Sequence, residues 1–373
     1  MEKAKINAWQ LFSLALLFEF GTSIVVSFGL DAKKDAWIAS LLGLGLGLIL
    51  FPVYLYLYRQ FPKIPLTEYI RKIVGKYLGW PLGLLYVVYF IYSSARDLRD
   101  AGDLLIASVY DQTPLFALAT LMMVAVFYVL HKGIEVLART SEICLLILVA
   151  LGLLGNFAVL VSGIIDFKNL LPVLENGWKP IITTVLTQTF IFPYGEMIAF
   201  TMILPYLDKP QKASKSGLSA IAISGVVISY TTLLNVSVLG VNIASRSTFP
   251  LHTMISKVNI IEFIQRLDAI VVLTLIIADF FKIAIFLYAA ILGTMDLFKI
   301  KKHGALVFPI GIITLFASMM MASNYQEHIT EGRSSLKTVH LFFSLVVPLF
   351  LLTVLMIRKR FGSPQAKAVS HDK

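Results

Sequence analysis

Charge set beside helix-breaking residues is where this chain could do chemistry. Phe192, Pro193, Tyr194, Gly195 and Glu196 follow one another inside an apolar stretch running from about residue 181 to 204. Pro193 cannot donate the amide that a carbonyl one turn earlier needs, Gly195 costs about 1 kcal/mol in a helix interior, and a carboxyl group at bilayer depth is expensive. Lipid offers no replacement hydrogen bonds, so backbone freed at this depth must face protein, water or a ligand. The run Phe18, Glu19, Phe20, Gly21, Thr22, Ser23 has the same character, again a Glu close to a Gly in an apolar segment. A lone copy reads equally well as a proline kink healed by its neighbours; two copies point to a site. Each interruption exposes a half-helix N-terminus, whose free amides favour an anionic group, and a C-terminus suited to a cation. An amino acid carries both charges. The candidate lining is therefore Glu19, Phe20, Gly21, Thr22, Ser23, Phe192, Pro193, Tyr194, Gly195 and Glu196, with Tyr92 as an aromatic neighbour. A side chain added at Gly21 or Gly195 is expected to fill space where a ligand approaches the backbone.

A second set of charges lies inside apolar segments. Arg96, Asp97, Arg99, Asp100 and Asp103 fall within one stretch, with Arg96/Asp100 and Arg99/Asp103 at i,i+4 spacing. One reading is an internally paired patch near the outer mouth. The other is that Arg96, placed deepest, meets an acid of the first or sixth span or a ligand carboxylate, while Arg99 is hydrated. Asp279 and Lys282, three residues apart, share a helix face, where Lys282 either pairs with Asp279 or serves as a fixed cation beside the first interruption. Arg96, Asp100, Asp279 and Lys282 thus form the expected intramembrane charge network. Glu19 and Glu196 are open to two roles, a proton carrier or a structural one, accepting freed amides or pairing with Arg96 or Lys282; the structural role is preferred for Glu19, and Glu196 stays open.

Positioning such groups requires membrane helices, and the composition demands them. Of 373 residues 58% are hydrophobic and 14% charged, with a mean hydropathy of +0.82; no soluble core could hide this much apolar surface. The net charge of +10 is carried by short basic clusters between apolar stretches, which reads as membrane topology rather than nucleic-acid binding. Cys144 stands alone and the histidines lack ligand spacing, so no disulfide, metal or other cofactor is expected. No nucleophile, base and orienting group form a recognisable motif, which argues against an enzyme.

Ten apolar stretches are long enough, or nearly so, to cross the bilayer: about 9–30, 36–58, 81–107, 115–130, 142–165, 181–204, 217–241, 267–294, 305–322 and 338–357. The first is expected to be an uncleaved helix. With both termini cytoplasmic, twenty Lys and Arg residues face that side and nine the other, which selects this orientation. Short surface helices are expected at Lys63 to Lys76, capped at Thr67, and at Ile255 to Phe263, where one could cover the site. Spans one to five (about 9–165) and six to ten (about 181–357) can be superposed. Five is odd, so the halves are inverted, and paired interruptions in inverted halves point to a midplane site in a transporter fold. One transmembrane domain over residues 1–358 and a polar cytoplasmic tail over 359–373 complete the expectation.

The N-terminal KINAWQLFSLALLFEFGTS, the FPYGE run, the loop with Asp208, Lys209 and Pro210, and RLDAIVV at the eighth span together resemble the B subunit of spore germinant receptors, a branch of the amino acid, polyamine and organocation transporter superfamily. The resemblance covers nearly the whole chain. It implies an all-α fold of ten helices in a leucine-transporter-like 5+5 inverted repeat with helices one and six broken, and residence in the inner membrane of a dormant endospore. It also implies A and C receptor subunits as partners beside the lipid bilayer, and a small nutrient, often an amino acid, as ligand. An active amino acid transporter, proton-coupled through Glu19, Glu196 or Asp279, is the alternative function, and an ion or water channel a more distant one.

Overall fold

The computed structural model describes residues 4–26, 28–258 and 267–361. Among them the chain is almost entirely helical, with one isolated parallel bridge between Ile6 and Leu207. The first interrupted segment is α1 (Ala8–Phe20) and α2 (Ser23–Val26). Then follow α3 (Ala36–Gln60), α4 (Leu66–Val74), α5 (Lys76–Ser108), α6 (Leu115–Lys132) and α7 (Ile134–Val161). The sixth segment begins as α8 (Trp178–Thr184), and after it come α9 (Ala213–Arg246), α10 (Pro250–Ser256), α11 (Asp268–Phe298), α12 (Gly304–Met320), α13 (Tyr325–Ser335) and α14 (Val347–Arg360). Eight of the described helices, counting runs that continue across kinks, are long and apolar enough to cross a membrane. The sixth segment and the 17-residue α12 make up the ten expected crossings.

Burial sorts these helices. The apolar window of α1–α2 is 83% buried and that of α11 72%, against 28% for α7, so α1 and α11 form the centre and α7 faces lipid. Asn7 fixes the start of α1 through a capping box: its side-chain Oδ1 accepts the amides of Trp9 and Gln10 at 2.8 and 2.9 Å, and the Gln10 side chain accepts the Asn7 backbone amide at 2.9 Å. Just before it, Ile6 donates to the Tyr206 carbonyl and accepts from the Asp208 amide. That bridge places the start of the first segment and the end of the sixth at one face of the bundle, as inverted halves require. Arg358 and Lys359 of α14 bond Lys72 and Gln60, bringing the end of the last segment onto the α3–α4 corner.

Three elements differ from the sequence expectation. The surface helix is present as α4, but Pro65 and not Thr67 precedes it; Thr67 is buried, its hydroxyl donating to Asp296 at 2.7 Å, while Arg71 grips the same carboxylate at 2.5 and 2.6 Å. The outer helix is α10, at Pro250–Ser256; residues 259–263 of the expected span, like the tail from 362 on, lie outside the described residues. The last segment starts well before residue 338, because the polar α13 and two π turns, Leu336–His340 and Phe342–Val346, run into α14. Its polar residues escape lipid by packing on α5 and lining a cavity.

Candidate functional site

The two interruptions solve their hydrogen-bond problem differently. In the first, α1 ends as the Gly21 amide donates to Leu17, and the Ser23 hydroxyl lies 2.5 Å from the Glu19 carbonyl and 2.8 Å from that of Phe20. Ser23 therefore quenches the freed carbonyls itself. The sixth segment parts as expected, its two helical pieces, one ending at Thr189 and the other starting at Tyr194, being separated by residues 190–193. A π turn, Val185–Thr189, ends with the Phe190 amide bonding Val185; α-type bonds run from Phe192 to Gln188 and from Gly195 to Ile191; a 3₁₀ helix, Tyr194–Met202, follows. Proline removes a donor where the ladder shortens, and π and 3₁₀ turns absorb the mismatch. Tyr54 donates to the Gly195 carbonyl at 3.0 Å and also reaches that of Ser344, and Tyr58 donates to Leu204 at 3.0 Å.

Lys282 of α11 stands between the interruptions, with no exposed side-chain surface. Its Nζ is 2.8 Å from Glu196 Oε2 and 3.8 Å from Asp97 Oδ1, and it sits over the Phe192 ring at 4.0 Å and the Phe18 ring at 5.6 Å. The other Glu196 oxygen faces His340 Nδ1 at 3.2 Å, and Tyr89 approaches that imidazole nitrogen at 3.3 Å. Thr22 Oγ1 lies 3.3 Å from Asp97 Oδ1 and 3.2 Å from Asp279 Oδ1. Asp279 thus meets Thr22, and Lys282 makes its close ion pair with Glu196, on the other interrupted segment. A buried ammonium needs several partners to offset its lost hydration; here α1, α5 and the sixth segment supply them.

Above this cluster lies a cavity of about 550 Å³, open at the end of α9 far from Ala8. Thr22, Phe192 and Glu196 contribute to its wall from the two interruptions; Ser93, Arg96, Asp97 and Asp100 contribute from α5, and Gln188, Arg333 and His340 also face it. Of the expected lining, the remaining residues lie outside the wall of this cavity. Glu19 is fully buried near Lys282 and Ser224. Phe20 lines a second, mostly apolar cavity of about 250 Å³ between α1, α7, α9 and α11, and α10 borders that one rather than covering the first. Tyr194 is wedged between α3 and α9, where a Cβ on Gly47 or Gly225 would come within 2.6 or 2.7 Å of it. Gly21 abuts the Lys282 stem and Gly195 abuts Ser344, while Pro193 is buried at the pitch change. Tyr92 turns to α13, donating to Glu331 at 2.6 Å and contacting Ser335 at 2.8 Å.

The α5 charges also rearrange. Arg96 reaches neither interruption; it bonds Glu331 on α13 and the His328 carbonyl. Asp100 takes His328 Nε2 at 3.0 Å, and only the expected Arg99/Asp103 pair forms, at 2.8 Å. Arg99 is the more buried arginine, at 5% exposure, and it also donates to the Ser318 and Ala322 carbonyls. The helix-depth argument failed because rotation about α5, not height along it, decides which side chain meets protein. Arg99→Ala is therefore expected to cost roughly 3–5 kcal/mol by stranding a largely buried acid. Arg96→Ala should cost only about 1 kcal/mol, since Glu331 is 37% exposed and can hydrate. Thermal unfolding of both variants in detergent tests the ranking; a larger loss for Arg96→Ala would reverse it.

Among the described residues no group of His, Cys, Asp and Glu is arranged to hold a metal ion. What the arrangement offers is a cavity of mixed polar and apolar lining beside a buried ion cluster, between two interrupted helices of a transporter-like bundle. The family model described as "Spore germination protein" matches residues 5–326. The chain belongs to the spore germination protein family. It is 42% identical to spore germination protein KB of Bacillus subtilis (strain 168) over 361 residues, covering 96% of this chain and 97% of that one. Spore germination protein YndE of the same organism is 28% identical over 88% and 89%. Among solved structures, MhsT in complex with L-phenylalanine superposes with a TM-score of 0.67 at 14% identity, covering all of this chain and 94% of its own. A Na+-coupled sialic acid symporter gives 0.65 at 12%, covering 91% and 79%. This member of the spore germination family thus has the leucine-transporter-like architecture, and it is a multi-pass membrane protein.

Proposed function

We propose that this chain is the nutrient-sensing membrane subunit of a spore germinant receptor, and that a small germinant binds in the cavity between the first and sixth segments. The observation that carries this reading is the cavity wall itself, built from Thr22 of one interruption, Phe192 and Glu196 of the other, and charged side chains of α5 and α13. A ligand shifts such a protein only by binding two states unequally. The wall includes the parts able to differ: α13 continues through two π turns, and the sixth segment changes helix type beside the ligand space. The resemblance supplies the setting, a spore inner membrane with A and C receptor subunits as partners and both termini cytoplasmic; the lysine and arginine distribution supports that orientation. Glu196, tied to Lys282 and His340, serves in this reading to lock the two interruptions together.

Active transport is the second reading, favoured by the architecture shared with the solved Na+-coupled sialic acid symporter. Both are tested on purified protein, alone and with A and C subunits, by calorimetric titration of amino acids and sugars and by labelled uptake into proteoliposomes. Saturable binding without accumulation supports the sensor; accumulation against a gradient supports the transporter. Folded protein that binds no nutrient in either form overturns both.

A further inference from the structure

Glu19, Asp97, Glu196 and Asp279 bring four carboxyl groups to the buried space that holds one ammonium, Lys282. Their partners are unequal. Glu196 uses one oxygen for Lys282 and the other for His340, and Asp279 has Thr22. Asp97 directs Oδ1 to Thr22 and, at 3.8 Å, to Lys282. Asp97 Oδ2 has no hydrogen-bond partner although the residue is only 4% exposed. Buried carboxylate oxygens are normally satisfied, and leaving one unmade is costly. Asp97 and Glu196 form part of the cavity wall, whereas Glu19 and Asp279, which also have an oxygen without a hydrogen bond, do not. Glu196 Oε2 lacks one too but lies 2.8 Å from the Lys282 ammonium, which leaves Asp97 Oδ2 as the wall oxygen with neither a hydrogen bond nor a close cation among the described residues. Ser93, one turn earlier on the same face of α5, borders it in that wall.

We propose that Asp97 is the docking point for a cationic ammonium group of the ligand, with Ser93 as its polar neighbour, so that the site selects small amino acids or amines over their hydroxyl analogues. The inference rests on the cavity being the ligand site. Charge decides between ammonium and hydroxyl. Lys282 is committed to Glu196 and Arg96 to Glu331, Arg333 of the wall lies 4.0 Å from Asp31, and the buried cluster around Lys282 holds more carboxyl than ammonium groups. At low dielectric a charge-assisted bond to the spare oxygen outweighs a neutral one. The ligand does not displace Lys282, which approaches Asp97 from the Oδ1 side.

The test compares matched probes on intact purified protein, again with and without A and C subunits: L-alanine with L-lactate, L-phenylalanine with L-phenyllactate, and glucose and glycerol as uncharged polyols. For whichever amino acid binds, affinity about tenfold or more above its hydroxy acid is expected, the difference between a charge-assisted and a neutral hydrogen bond. Asp97→Asn, which keeps shape and the Thr22 contact, is expected to reduce that ratio to near one. The wild-type comparison stands even if this variant fails to fold. Equal affinity for both members of a pair, or an undiminished ratio in Asp97→Asn, overturns the assignment. Binding of glucose or glycerol alone overturns it while leaving the cavity as the nutrient site, and binding of no probe removes both.

Discussion

Lys282→Met is expected to lower stability by roughly 3–5 kcal/mol and to abolish the germinant response. Methionine fills about the same volume, so lost packing is a small part of the effect. What changes is that Glu196 and Asp97, 2% and 4% exposed, lose the cation between them, and their charge cannot be hydrated where they sit. Removing one partner of a buried pair is the costly operation; removing both is far cheaper. The double variant Lys282→Met/Glu196→Gln should therefore recover a large share of the loss, a coupling of roughly 1–3 kcal/mol between residues on different segments. Thermal unfolding in detergent gives the stabilities, and germination of spores carrying each variant gives the response. Additive losses would show that Lys282 and Glu196 act independently and that the interrupted segments are held by packing alone.

Much of this site could be read in the sequence, because membrane burial makes charge conspicuous. Glu19, Glu196, Asp279 and Lys282 stand out in apolar runs, and all four meet in the structure. Glycine and proline marked both interruptions for the same reason, although they did not reveal that a π turn and a 3₁₀ helix would flank the second. Pairing was legible only as a set of alternatives, Lys282 with Asp279, Glu19 or Glu196. Nothing local tells that Lys282 prefers Glu196, 86 positions away, to the acid three residues before it. His340 and His328 were unreadable as partners for acids, since a lone histidine in a segment boundary carries no spacing signal. The polar run of Tyr325 to Ser335 hid a helix, because hydropathy assumes that a spanning helix faces lipid and α13 faces α5 and the cavity. Asp97 was visible only as one charge of a patch; a polar stripe at Tyr89, Ser93, Asp97 and Asp100, at helical spacing along α5, was the overlooked signal.

Gly21→Ala is expected to weaken both stability and response, for a reason other than ligand contact. A Cβ at this position would lie 2.5 Å from Lys282 Cδ and 3.2 Å from both Asp279 Oδ1 and the Phe18 carbonyl. The lysine stem is confined, since its ammonium is fixed by Glu196 and lies against the Phe192 and Phe18 rings. The methyl group must therefore push the chain or the lysine aside, at about 1–3 kcal/mol for overpacking a buried site, and any shift of Lys282 lengthens its contacts with Glu196 and Asp97. Gly45→Ala is the matched control: it sits in a membrane helix with nothing within 4 Å of the added carbon, and exchanging glycine for alanine in a helix favours the fold by up to about 1 kcal/mol. Unfolding temperatures and germinant sensitivity at equal abundance are to be compared for the two. A Gly21→Ala protein as stable and responsive as Gly45→Ala would mean that Lys282 has room to move, and the cluster would then be a loosely held group of charges rather than the fastening between the two interrupted segments.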